Sequence, residues 1–182
     1  MKESTAIGFL VNSGWRKIGD KVDDIILEFH TADRIITVIP SIRKLSNYYS
    51  ISLSPSLTTE QFSCAARRII NDESFRSPLT YMKSTIHKKN EIYESTITKI
   101  IEEVIEWSQS IELKREINRH AQSPTDSKGT MPVRHLAALA LLGGTERLEM
   151  YRTSFESGNR LGFVPYISIE MIERALEIAK RQ

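Results

Sequence analysis

The spacing of the apolar residues changes once along this chain, and that change constrains the fold more than any other feature. In the first third, apolar side chains recur mostly at every second position, which is the period of a half-buried β-strand. From residue 91 onward they recur every three or four positions, as on an α-helix with one buried face. A chain that forms strands first and helices afterwards is predicted to be an α+β protein.

Two segments of the first third alternate as strands do, "DDIILEFHT" and "YYSISLSP", and "RIITVIP" between them is predicted to be a partner strand. Pro40 is predicted to end the second strand, since proline cannot donate a hydrogen bond to a ladder. A short helix candidate over residues 4–13 precedes the strands. The first third therefore predicts an N-terminal helix followed by a three-stranded antiparallel meander.

A capped helix is predicted next, in "LTTEQFSCAARRII". Thr58 and Gln61 have the spacing of a capping box, in which each side chain bonds the backbone N–H of the other residue. The apolar residues of this helix share one face, which we expect to cover the dry side of the meander: Phe62, Ala65, Ala66, Ile69 and Ile70. Residues 72–90 have no clean period and are predicted to be a connector with a short strand near 79–82.

A regular apolar seam predicts that the longest helix begins near Glu91 and continues toward His120. The seam consists of Tyr93, Ile97, Ile100, Val104, Trp107 and Ile111. It would pack either on the C-terminal helices of the same chain or on a second copy of the chain. We expect the first arrangement, with Trp107 mostly buried, because short helices are weakly stable outside a folded core.

Glycines in the C-terminal part are placed where helices end. Gly143 and Gly144 follow the apolar "MPVRHLAALALL", and Gly158 follows the next helical pattern. A glycine just past a helix end takes the left-handed conformation that closes it. No lysine follows these glycines in the pattern of a phosphate-binding loop, so they are interpreted as helix ends.

The predicted fold is thus α+β, with an N-terminal helix, a three-stranded antiparallel meander and a capped helix, followed by a mainly helical C-terminal half. Residues 1–90 are predicted to form an α+β subdomain. Residues 91–182 are predicted to form a helical subdomain packed on it, so that the two make one compact domain.

Composition narrows the class of function. The 182 residues carry a net charge of +2, too balanced for a dedicated nucleic-acid binder. The single cysteine, Cys64, excludes an intramolecular disulfide and a cysteine-based zinc cage. The sequence contains neither a signal-peptide pattern nor an apolar run of about 18 residues that could span a membrane. We therefore expect a cytoplasmic protein that does not enter a membrane.

No catalytic, cofactor-binding or metal-binding residue is predicted. The four histidines, His30, His87, His120 and His135, form no His-x-x-x-His pair or similar metal-binding pattern. His135 shares a face with Leu139 and other apolar residues, which favours a buried structural histidine. Signatures of nucleophile elbows and kinases are absent. We therefore do not expect an enzyme and expect no cofactor.

Two sets of charged residues are candidates for binding a partner, although a solvated surface presents such sets as well. The acidic set lies outside the apolar seam of the long helix: Glu102, Glu103 and Glu106. The basic set comes from the segment that follows the meander: Arg67, Arg68, Lys88 and Lys89. Glu102 and Glu106, four residues apart on one helix face, repel one another, which favours a surface for a basic partner.

Two resemblances to known families agree with a partner-binding protein. The helix, meander and capped helix, carried by "IILEF", "RIITVI", "YYSISL" and "TTEQFSCAARRII", resemble the opening half of a bacterial secretion chaperone. The chain departs from that family in its balanced charge and after residue 90, where a long helix replaces the expected returning strands. The C-terminal "YRTSFESGNRLGFVPYISIEMIERALEIA" resembles the closing helices of bacterial immunity proteins of polymorphic-toxin systems.

The leading hypothesis is an immunity protein that binds and neutralises a secreted bacterial toxin. One alternative is a secretion chaperone, which would bind an effector segment as a homodimer. Another alternative, from a different class, is a regulator that binds nucleic acid through residues 67–89. Its affinity would fall steeply with salt. The net charge of only +2 argues against this hypothesis.

Overall fold

The computed structural model describes residues 3–19 and 25–182, which form two compact units. The described part of Met1–Leu57 and the segment Thr80–Ile111 form the first, called the sheet unit. Thr58–Leu79 and Glu112–Gln182 form the second, called the helical unit. The two units do not meet at the predicted boundary, residue 90. The chain leaves the sheet unit at Thr58, returns to it at Thr80 and leaves it again after Ile111.

The predicted α+β fold class is confirmed by the elements of the described residues. The sheet unit contains α1 (Glu3–Asn12), β1 (Arg16–Ile18), β2 (Ile26–His30), β3 (Ile35–Lys44), β4 (Tyr49–Thr58, whose last residue belongs to the helical unit), β5 (Thr80–Tyr81), β6 (Thr85–Lys89) and α3 (Glu94–Ser110). The helical unit contains α2 (Glu60–Ile70), α4 (Leu113–Ala121), α5 (Met131–Leu141), α6 (Thr145–Glu156) and α7 (Ile169–Ala179).

The sheet has the strand order β1-β2-β3-β4-β5, and β6 also pairs with β4. The predicted meander corresponds to β2, β3 and β4, although Asp23 and Asp24 of its first segment lie outside the described residues. The prediction that Pro40 ends the second strand is wrong, since β3 continues to Lys44. Its pairing with β2 runs from Ile35 to Val38, so the missing N–H of Pro40 removes no bond from that ladder.

One face of the sheet is covered by α1 and α3. Leu10 of α1 and Ile97 of α3 line a small cavity together with Ile51 and Leu53 of β4. These four side chains are buried, as the alternation in "YYSISLSP" predicts. The seam residues Ile100 and Val104 are also buried, whereas Trp107 is half-buried and Tyr93 is exposed.

The expectation that the capped helix covers the meander is wrong. Helix α2 belongs to the helical unit, where its apolar stripe joins a core built around α5, a helix buried on almost every side. The stripe of α2 and the seam of α3 have the same period, so periodicity alone could not decide which of them covers the sheet.

The helix N-cap is also one residue later than predicted. The side chain of Thr59, not Thr58, accepts the backbone N–H of Phe62 at 3.1 Å. Thr58 ends β4 and its hydroxyl contacts Ser63 at 3.2 Å. Two adjacent threonines make the cap ambiguous in sequence, and the strand takes the first of them.

The predicted long helix is two helices, because the chain becomes extended at Ile111. Arg34 of the sheet unit donates from Nη1 to the carbonyl oxygens of Ser108 and Ile111. The carbonyl groups at a helix end have no partner within the helix, so this guanidinium stabilises the end of α3. The seam is thereby separated from the residues that continue into α4.

Candidate functional site

The acidic candidates lie together on the exposed side of α3. Glu102, Glu103 and Glu106 are all exposed. Among the residues that the structure describes, none of the three makes an ion pair or a side-chain hydrogen bond. The opposite side of the helix holds Ile97, Ile100 and Val104 against the sheet, so the helix cannot turn this acidic face away from solvent. We call the three glutamates the acidic face.

Lys88 and Lys89 lie on β6, at the end of the sheet where β4 begins. The register pairs Tyr49 with Lys89 and Ser50 with Lys88. The ammonium group of Lys88 lies 5.5 Å from the ring centre of Tyr48, within the range of a cation–π contact. These lysines therefore lie beside aromatic rings, which the sequence did not indicate.

A second lysine and tyrosine extend this basic end of the sheet. The ammonium group of Lys44 lies 6.0 Å from the ring centre of Tyr49. The tight turn between β3 and β4, in which the N–H of Leu45 donates to the carbonyl of Tyr48 at 2.8 Å, places Lys44 beside the start of β4. We call Lys44, Tyr48, Tyr49, Lys88 and Lys89 the basic edge.

The acidic face and β6 border one another within the sheet unit. Glu103 lines a narrow cleft together with Lys83 and His87. Neither Lys83 nor His87 forms an ion pair with Glu103 in the described part of the chain. The sheet unit thus presents negative and positive surfaces side by side.

Arg67 and Arg68 belong to the helical unit and have partners there. Arg67 contacts the carboxylate of Glu60 at 3.0 Å, and Arg68 contacts that of Glu177 at 3.0 Å. Both arginines line a groove of about 630 Å³ together with Arg174. Arg174 donates from Nε to the carbonyl oxygen of Ile69 at 2.7 Å. These cations gather at the last turn of α2, where positive charge stabilises the helix end.

The structure therefore brings some predicted residues together and separates others. The three glutamates form one face, and Lys88 and Lys89 form one edge of the same unit. Arg67 and Arg68 lie in the other unit, and their ion pairs give them a structural role. The sheet unit is the better candidate for binding a partner.

A buried polar network occupies the core of the helical unit. The hydroxyl of Tyr151 lies 3.0 Å from Nε2 of His135 and 2.6 Å from Nε of Arg147. The carbonyl oxygen of His120 lies 3.0 Å from Nδ1 of His135. Burial lowers the pKa of His135 to about 4, and burial also lowers the pKa of His120 and raises that of Tyr151. His135 is thus neutral near neutral pH and serves as a structural hydrogen-bonding group.

Among the described residues, no group of three or more His, Cys, Asp or Glu side chains is arranged to hold a metal ion. Cys64 is exposed on α2. Its Sγ atom lies 3.7 Å from Nη2 of Arg67.

The tyrosines of the basic edge were missed because the pairing of β4 with β6 is non-local. Tyr48, just before β4, and Lys88 on β6 are forty positions apart in the sequence, and the pairing of the two strands brings them together. The alternation in "STIHKK", with Ile86 between polar residues, was the available signal for β6, but it is too short to distinguish a strand from a connector.

The fold and these surfaces define an α+β protein with an acidic helix face and a basic sheet edge. In the residues that the structure describes, no helix is both long and apolar enough to cross a membrane. The model of a family of unknown function, DUF6990, matches residues 2–180, and the chain belongs to this family. No curated protein and no solved structure matches the chain.

Proposed function

We propose that this protein is a non-catalytic protein-binding protein, an immunity protein that binds and neutralises a secreted bacterial toxin. The observation that carries the proposal is the acidic face. Its three carboxylates are exposed on one side of a rigidly packed helix and lack ion-pair partners among the described residues. The one cation of this helix, Lys99, forms no ion pair with them among the described residues, so a partner with a basic surface would supply the missing counter-charges.

Electrostatics favours such a partner for a physical reason. Glu102 and Glu106, at i and i+4, repel one another by a few tenths of a kcal/mol, roughly the size of an attractive pair with the same spacing. The cations of a basic partner attract both carboxylates and so offset this repulsion. The same attraction accelerates the encounter between the two proteins. Toxins that act on nucleic acid need basic surfaces to hold phosphates, so their active surfaces fit this charge.

The absence of catalysis is part of the proposal. The buried histidines of the helical unit bond to backbone carbonyls and to Tyr151, and both are fully buried. A general acid or base must reach a substrate proton, which these rings do not do in this conformation. The single cysteine, which excludes an intramolecular disulfide, supports a cytoplasmic location.

The test is capture of the partner from the source cell, with a variant that removes only the acidic face. Glu102, Glu103 and Glu106 are replaced together by glutamine, which keeps the side-chain volume. The matched control replaces three exposed glutamates of the helical unit that also lack ion pairs: Glu112, Glu146 and Glu173. Both variants change the net charge by the same amount.

We expect the wild type and the control to capture one specific protein, identified by mass spectrometry, and the acidic-face variant to lose it. Co-expression with the captured protein should then protect cells from its toxicity. If all three forms capture the same protein equally, or the wild type captures none, the proposal is wrong.

A secretion chaperone is the second candidate, and one observation favours it. Strands β5 and β6 return to the sheet before α3, so further strands follow the meander as in that family, although they precede residue 90 and a helix follows it as the sequence indicated. A chaperone would be a homodimer holding an unfolded effector segment. Light scattering that gives the mass of a monomer at micromolar concentration would count against this candidate.

A further inference from the structure

Strand β6 has one paired side and one side without a strand. Its residues pair with β4 from Thr85 opposite Leu53 to Lys89 opposite Tyr49. Among the described residues, no strand pairs with its outer side. An open edge presents backbone N–H and C=O groups that can bond another extended chain.

The side chains of β6 also suit a peptide partner. Thr85 and His87 line the cleft beside α3, so Ile86 and Lys88 point to the opposite face of the sheet. The side chain of Ile86 is 63% exposed on that face. An exposed β-branched residue on an open strand would pack against an apolar side chain of an added strand.

The charge of the strand and its surroundings selects an acidic partner. Lys88 and Lys89 are exposed and make no ion pair within the part of the chain that the structure describes. Lys44 lies at the same end of the sheet, beside Tyr49. The nearest carboxylate in sequence, that of Glu91, accepts a hydrogen bond from Tyr93. An acidic extended chain would therefore find unpaired cations along this edge.

We propose that the outer edge of β6 binds an extended acidic segment of a protein partner as an additional strand, with apolar side chains of that segment on Ile86 and acidic ones on Lys88 and Lys89. The proposal rests on the proposed function in one respect, that the protein binds another protein. A nucleic acid would satisfy the lysines, but its backbone has no alternating amide donors and acceptors to pair with the edge.

The experiment uses the full chain and a labelled decapeptide that repeats Val-Glu-Glu-Glu, with fluorescence anisotropy as the measurement. In an extended chain this repeat alternates valine and glutamate on one face, as Ile86 and Lys88 require, and places glutamate on the face of Lys89. Two further peptides carry N-methyl groups on every second residue, one on the odd and one on the even positions. Because only alternate N–H groups of an added strand face the edge, we expect one methylated peptide to lose binding and the other to keep it.

The protein variants test the side chains. Lys88→Glu with Lys89→Glu should lower the affinity about tenfold or more, since attraction becomes repulsion. Lys114→Glu with Lys128→Glu changes two exposed lysines of the helical unit by the same charge and should leave the affinity unchanged. Ile86→Ser, at an exposed site, should weaken binding without unfolding the protein. Circular dichroism of each variant checks that it is folded.

The proposal is overturned if the wild type does not bind the peptide at concentrations up to about 1 mM, or if both methylated peptides bind equally. It is also overturned if single-stranded oligothymidine binds more tightly than the peptide and loses binding in the Lys88 and Lys89 variant. None of these results would contradict the capture of a partner through the acidic face. Failure of the proposed function would instead appear as the absence of any captured partner.

Discussion

The Nε2 atom of His135 accepts a hydrogen bond from the hydroxyl of Tyr151, with 3.0 Å between the two heavy atoms. The other ring nitrogen, Nδ1, lies 3.0 Å from the carbonyl oxygen of His120 and must donate, because a carbonyl only accepts. Arg147 in turn donates from Nε to the Tyr151 hydroxyl at 2.6 Å. These partners fix the neutral tautomer of the imidazole that carries its proton on Nδ1. They leave no acceptor for a second proton on Nε2.

This arrangement predicts a loss of stability in mild acid. Burial lowers the pKa of His135 from its ordinary value of 6.5 to about 4, and the nearby charge of Arg147 acts in the same direction. The unfolded chain therefore binds a proton on this residue between those two pH values, whereas the folded protein does not. The stability that neutral His135 contributes is complete at pH values above its pKa in the unfolded chain. The unfolding free energy then falls by about 3 kcal/mol as the pH drops toward the pKa of His135 in the folded protein.

Urea unfolding at neutral pH and at about pH 5 measures this effect. His135→Gln removes the titrating group and should reduce the dependence of the unfolding free energy on pH, although the lowered pKa of His120 leaves part of it. An equal dependence in the wild type and the variant would show that His135 does not titrate as the buried ring requires.

Tyr151→Phe tests the network without changing a titrating histidine. The hydroxyl is the partner of both His135 and Arg147, and Tyr151 is fully buried. Removing it leaves a buried acceptor unpaired, which costs about 1–3 kcal/mol of unfolding free energy. Tyr93→Phe, at a tyrosine that is 59% exposed, is the control and should change stability by less than about 0.5 kcal/mol. Similar losses in both variants would contradict the role of the network.

The seam of α3 gives a second contrast between buried and exposed positions. Ile97 is buried against the sheet, so Ile97→Ala should cost about 2–5 kcal/mol of unfolding free energy. Tyr93 belongs to the same sequence pattern but precedes the helix as its N-cap, and Tyr93→Ala should cost less than about 0.5 kcal/mol. Trp107 is half-buried, so Trp107→Ala should fall at or below the lower end of the sequence-based estimate of about 3–5 kcal/mol. Thermal and urea unfolding of the three variants decide between a heptad seam and the observed packing.

The seam also shows how far the sequence predicts this fold. Local patterns give the strands around Leu27, Val38 and Ile51, since alternation needs only neighbouring residues. Local patterns do not predict that α3 covers the sheet while α2 joins the helical unit, because both helices carry an apolar stripe. That choice depends on contacts between residues far apart in sequence.

The candidate surfaces show the same limit. The exposure of the acidic face follows from the helical period, because Glu102, Glu103 and Glu106 lie outside the apolar stripe. The basic edge requires the pairing of β4 with β6, and the end of α3 depends on Arg34, far away in sequence. Neither feature has a local signal.

A glycine that ends a helix and a glycine inside a helix should respond in opposite ways to replacement by alanine. Gly143 has φ +66° just after the end of α5, and the N–H of Gly144 donates to the carbonyl of Leu139 at 2.9 Å, as in a helix C-cap. An alanine at residue 143 would hold its Cβ in the left-handed region, so Gly143→Ala should destabilise the protein by about 1 kcal/mol or more. Gly8 lies inside α1 with no atom within 4 Å of a Cβ added to it. Gly8→Ala should therefore stabilise the protein by about 0.5–1 kcal/mol. Thermal unfolding of the two variants should give shifts of opposite sign, and a stabilised Gly143→Ala would mean that this glycine does not close the helix in the left-handed conformation.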